Sequence, residues 1–133
     1  MCQGVDVWYR GFVEVEIEQP QADPATAEIG ICKGVITRFY RLFPPGCGGE
    51  VFLQVFHQQR QVFPTTPGQA YIGDDSEMLG FSSVDIPEPP FVLTLKAWAP
   101  DSSYAHILYC EFYIEHLQVL LPKPLESIAL PGG

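Results

Sequence analysis

The stretch from Phe91 to Glu115 constrains this chain most. Phe91-Val-Leu-Thr-Leu-Lys-Ala-Trp98 is a strand-like run, Ala99-Pro-Asp-Ser-Ser103 is a turn cluster, and a second run extends from Tyr104 to Glu115. Two aromatic-rich runs around a short Pro/Asp/Ser break predict a β-hairpin. In the second run Tyr109 and Tyr113 share one face with Ile107, Glu111 and Glu115. The other face carries His106, Leu108, Cys110, Phe112 and Ile114. Both faces are substantially apolar, so each is covered within the fold or meets another chain.

The rest of the chain reads the same way. Val13, Val15 and Ile17 alternate with Glu14, Glu16 and Glu18, the period-2 pattern of a half-buried strand. Gln19 to Gly30 reads as a loop or crossover, and Ile31 to Phe43 as a strand with Arg38 and Arg41 among apolar neighbours. A Pro-Pro-Gly-Cys-Gly-Gly turn leads into a strand from Glu50 to His57. Short strands are expected near Gln69–Gly73 and Met78–Ser82, followed by an extended linker from Val84 to Pro90. No segment shows a sustained helical period with caps. The expectation is an all-β fold: a single antiparallel β-sandwich of about seven or eight strands, of jelly-roll or other Greek-key type. Residues 1–121 would form the sandwich domain and 122–133 an extended C-terminal arm.

At 133 residues the chain is expected to form one domain. Hydrophobic residues make up 47% and charged residues only 17%, below the ~25% usual for soluble domains. Such a surface suggests that part of it is covered by something else. The net charge is −9, and no basic patch exists, so neither nucleic acid nor an anionic membrane is an expected partner. Met1-Cys-Gln-Gly-Val-Asp lacks the basic and apolar regions of a signal peptide, so synthesis in a reducing cytoplasm is expected. Cys2, Cys32, Cys47 and Cys110 have no metal-ligand spacing and are expected to be mostly free, buried thiols.

Chemistry-bearing patterns are sparse. The glycine-rich turn at Cys47 precedes a strand and lacks the Lys of a phosphate loop. His106 and His116 share parity but lie ~33 Å apart on a straight strand at ~3.3 Å per residue. Asp74, Asp75 and Glu77 form an acidic turn without the spacing of a calcium loop. No catalytic residue, metal or cofactor is expected. Three readings stand: a structural protein that docks on other chains, a carbohydrate-binding module with coplanar exposed aromatics, and a small jelly-roll metal enzyme. The enzyme would need His57, His106 or His116 to converge with a carboxylate. For the docking reading, the contact residues expected are Trp8, Tyr9, Tyr109, Tyr113, Leu117, Leu120, Leu125, Ile128 and Leu130.

Three segments carry a resemblance: Leu42–Val55 around its Pro-Pro-Gly turn; Gln61-Val-Phe-Pro-Thr-Thr-Pro-Gly with Gly73-Asp-Asp-Ser-Glu; and Leu95–Phe112. Together they resemble small β-sandwich structural proteins of double-stranded DNA bacteriophages, although Ala99 stands where that pattern has Asn. The resemblance implies a capsid decoration, cement or coat subunit, not an enzyme. It would be made in the host cytoplasm and located in the virion, as a homo-oligomer (a trimer) in contact with other virion proteins.

Overall fold

The computed structural model describes residues 7–115. The proposed arm at 122–133 and the end of the proposed domain lie outside the described residues. Nine strands form two antiparallel sheets, with no helix among the described residues. The first sheet has the order β1 (Val7–Val15), β9 (His106–Glu115), β3 (Gly34–Phe43), β7 (Ser76–Ile86). The second has the order β2 (Ala25–Gly30), β8 (Val92–Trp98), β4 (Phe52–His57), β5 (Arg60–Phe63), with the two-residue β6 (Tyr71–Ile72) also paired to β4. The chain passes repeatedly between the sheets, so sequential strands such as β1 and β2, or β8 and β9, lie in opposite layers. This interleaved order is the double Greek key of a jelly roll.

The inner faces follow from period-2 alternation. Val13 and Val15, then Leu108, Cys110, Phe112 and Ile114, point inward from the first sheet. Leu93, Leu95 and Ala97, then Leu53 and Val55, meet them from the second. An aromatic cluster ties the layers together. Phe39 of β3 stacks on Phe112 of β9 at 4.7 Å and 2°, and lies 4.8 Å from Phe63 of β5 and 5.6 Å from Tyr71 of β6. Arg41 also points inward, its guanidinium 3.9 Å from the Tyr71 ring centroid. Burial lowers its pKa, opposed by the Tyr71 and Cys110 charges.

Three sequence expectations need correction. The runs on either side of Ala99–Ser103 are both strands, but they do not form a hairpin: β8 pairs with β2 and β4, whereas β9 pairs with β1 and β3. The turn is anchored instead by the Ala99 amide on the Gln19 carbonyl and the Ser102 amide on the Ala99 carbonyl, which carry the chain from one layer to the other. The region 19–30 contains β2, whose inward residues Ala25, Ala27 and Ile29 are mostly small. Val84 to Ile86, read as the start of an extended linker to Pro90, are instead the end of β7. The cysteine expectation holds for Cys47 and Cys110, which are free and buried. Cys32, in contrast, is disulfide-bonded.

Candidate functional site

The outward face of the first sheet is the most distinctive surface of the described residues. Its composition follows from strand register. Trp8 of β1 pairs with Tyr113 of β9, Tyr113 with Arg38 of β3, and Arg38 with Phe81 of β7. The next row is Arg10, Glu111, Tyr40 and Leu79, and the next is Phe12, Tyr109, Leu42 and Glu77. Ile107 lies opposite Glu14 at the end. Phe12 is 60% exposed, Ile107 52%, Leu79 45% and Phe81 76%. On the second sheet's outer face, Phe52 instead stacks on Trp98 (5.6 Å, 11°), Trp98 is buried, and Lys96 covers Phe56 at 4.4 Å.

The polar atoms of the first face are largely tied to one another. The Tyr40 hydroxyl donates to Glu77 Oε1 at 2.7 Å, Tyr109 to Glu111 Oε2 at 2.6 Å, and Thr37 Oγ1 to Glu115 Oε2 at 2.8 Å. The bond to Glu77 is the main reason the Tyr40 phenol is pushed up to about 12, and the bond to Glu111 raises Tyr109 in the same way. The Arg38 guanidinium sits 4.8 Å from the Tyr113 ring and 6.0 Å from the Phe81 ring. Three hydroxyl–carboxylate pairs thus satisfy each other on this face, and the exposed rings and aliphatic groups stand among the exposed charges of Arg10, Glu14 and Glu77. Such a surface can bury area against another molecule.

The anticipated contact residues divide three ways. Trp8, Tyr109 and Tyr113 are together on this face. Tyr9 has the opposite parity and packs against the core, so it leaves the set. Leu117, Leu120, Leu125, Ile128 and Leu130 lie outside the described residues. Phe12, Tyr40, Leu42, Leu79, Phe81 and Ile107 join the face without having been singled out as contacts. Phe12 was legible: with Val13 and Val15 inward, its parity places it outward beside Glu14.

The two histidines among the described residues face different partners. His57 is buried, and its Nε2 lies 3.1 Å from the Pro90 carbonyl, which can only accept. His106 Nε2 lies 3.0 Å from Ser102 Oγ, but that hydroxyl donates its own proton to the Tyr104 carbonyl at 2.7 Å. His106 is therefore the donor, the reverse of a base activating a serine. His116 lies outside the described residues. In the acidic turn, Asp74 Oδ1 accepts from the Gly46 amide and Glu77 from Tyr40, so the carboxylates face different partners. Among the described residues no group of three or more His, Cys, Asp or Glu is placed to hold a metal ion. Burial pushes the Cys47 thiol up to about 11 and Cys110 to about 12, away from nucleophilic thiolates.

A cleft of about 750 Å³ opens between β5 and β7. Its polar walls are braced from within: Gln58 donates to the Pro89 carbonyl, Arg60 to the Asp85 carbonyl, and Gln61 to the Pro64, Thr66 and Gln69 carbonyls. These bonds hold the β4–β5 turn and the start of β5 against neighbouring segments. No protein-family model matches the chain, and no curated protein matches it.

Proposed function

We propose that this protein is a virion structural subunit, a capsid decoration, cement or coat protein, that works by packing sheet faces against neighbouring copies and other virion proteins. The observation that carries the reading is the outward face of the first sheet, where Trp8, Phe12, Tyr109, Tyr113 and Phe81 lie together and the Tyr40 and Tyr109 hydroxyls are bonded to Glu77 and Glu111 of the same face. A jelly roll supports it, since capsid domains use this architecture, though lectins and cupins do as well. The carbohydrate reading is less well supported. It wants coplanar rings, and Trp8 and Tyr113 are tilted by 52° at 5.1 Å.

Native mass spectrometry across a concentration series tests the proposal. The expected result is a closed homo-oligomer, a trimer in the simplest form, that Phe12→Lys and Ile107→Lys weaken. A wild-type monomer throughout, with ligands appearing on a glycan array, would replace the assembly reading with the carbohydrate one.

A further inference from the structure

Cys32 sits in the connection between β2 and β3, where the chain crosses from the second sheet to the first. It is half-buried and disulfide-bonded. Two independent observations point to its partner. The first is a count: the chain has four cysteines, and Cys47 and Cys110 are free and buried. Cys2, outside the described residues, is the one that is left. The second is strand direction. β1 and β3 both pair antiparallel with β9, so they run the same way and start at the same end of the first sheet. Val7 and Ile36 flank Ile114 from opposite sides, about 10 Å apart at two strand spacings. Cys32 precedes Gly34 by two residues at that end. Cys2 precedes Val7 by five residues, a length of chain that reaches up to about 17 Å. Cys47, by contrast, follows Phe43 at the far end of β3, and Cys110 faces the core from β9.

We infer that Cys32 is joined to Cys2, and that the bond is a redox-set staple: oxidation ties the entry of β1 to the β2–β3 connection, and reduction releases it. The closed loop holds about 30 residues, with β1 and β2 inside it. β1 ends the strand order of the first sheet and is hydrogen-bonded to β9 alone among the described strands, so it is the strand that a staple at its start secures most. The oxidant is a low-molecular-weight disulfide. One cysteine thiolate attacks it and expels a thiolate; the second cysteine thiolate attacks the resulting mixed disulfide and expels the other. The two protein thiols lose two electrons and two protons, and the oxidant becomes two thiols. The core thiols stay out of this exchange. Cys47 and Cys110 are 0% exposed, and burial pushes them up to about 11 and about 12, so neither offers a thiolate to scramble the bond. Such a bond lasts in an oxidising medium and is lost where thiols are kept reduced. The inference rests on the cysteines and on strand direction, not on what covers the outward face, so it stands or falls separately from the proposed function.

The test is peptide mapping of the full chain by mass spectrometry, after incubation with oxidised glutathione and alkylation in denaturant. The expected result is alkylation at Cys47 and Cys110 and one linked pair of peptides containing Cys2 and Cys32. Dithiothreitol added to the native protein should free both members of that pair. It should also lower Tm by roughly 10 °C, from the chain entropy of a loop of this size. Hydrogen exchange should then speed up in β1 but not in β4. Cys32→Ser should show the lower Tm with and without reductant. Four alkylated cysteines after the glutathione treatment would overturn the inference. So would Cys32 linked to Cys47, to Cys110, to glutathione or to a second copy, and so would a linked pair whose reduction leaves Tm and β1 exchange unchanged.

Discussion

Phe39→Ala is the sharpest test of how the two layers are held together. Phe39 is 1% exposed and lies between Phe112 of its own sheet and Phe63 and Tyr71 of the other. Phe-to-Ala changes in close-packed cores cost about 3–5 kcal/mol from lost transfer energy and the residual cavity. Each aromatic pair adds about 0.5–1.5 kcal/mol, without simple additivity. Three backbone segments meet at this ring, so collapse around the cavity is restricted, and a loss of about 4 kcal/mol is expected. For a chain of this size that lowers the urea midpoint by about 2 M at an m-value near 2 kcal/mol/M. It also lowers Tm by roughly 15 °C. The assay is urea unfolding followed by far-UV circular dichroism, with Phe81→Ala as an exposed control expected to change stability by less than about 0.5 kcal/mol. A loss under about 1.5 kcal/mol for Phe39→Ala, at unchanged m-value, would refute the claim that this cluster joins the sheets.

Further outcomes are expected. Gly34→Ala places a Cβ 2.7 Å from the Glu115 carbonyl oxygen, a backbone atom, and should cost about 1–3 kcal/mol, whereas Gly80→Ala should cost at most about 1 kcal/mol in the same unfolding assay. Native Cys47 and Cys110 should resist a thiol reagent at pH 8 and react on denaturation, as read by mass spectrometry. Their folded-state pKa values, and that of Tyr40, lie above the unfolded ones. The stability they contribute is therefore complete below about pH 9 and is lost as pH rises towards 11–12. Urea midpoints at pH 8, 10 and 11 check the sign, and Cys47→Ala with Cys110→Ala should flatten the first part of the fall. Gln61→Ala removes the side chain that holds the Pro64, Thr66 and Gln69 carbonyls and the Gly68 amide. It should speed exchange in residues 64–69 and cost about 1–2 kcal/mol.

The alternation of β9 was legible because both of its faces keep strict period 2: Leu108, Cys110, Phe112 and Ile114 are buried, and Tyr109 and Tyr113 are outward. Val13 and Val15 were legible for the same reason. β2 was hidden by Ala25 and Ala27, whose small side chains carry little strand signal. β5 was hidden by the run of glutamines that brace its turn. In β3 simple parity failed before Phe39. A register shift between Ile36 and Arg38 puts Ile36, Phe39 and Arg41 inward and leaves Arg38 beside Tyr113.

From sequence alone follow the all-β class and the parity of the longest strands. These are local properties, set by period, turn residues and spacing. The tertiary structure decided which layer each strand enters, and hence that β8 and β9 part instead of pairing. It also decided that Trp8, Tyr113, Arg38 and Phe81 form one row and that β7 ends the strand order of the first sheet among the described residues. Strand order is a long-range choice: many orders satisfy the same alternation, and only the packing of two whole inner faces against each other selects among them.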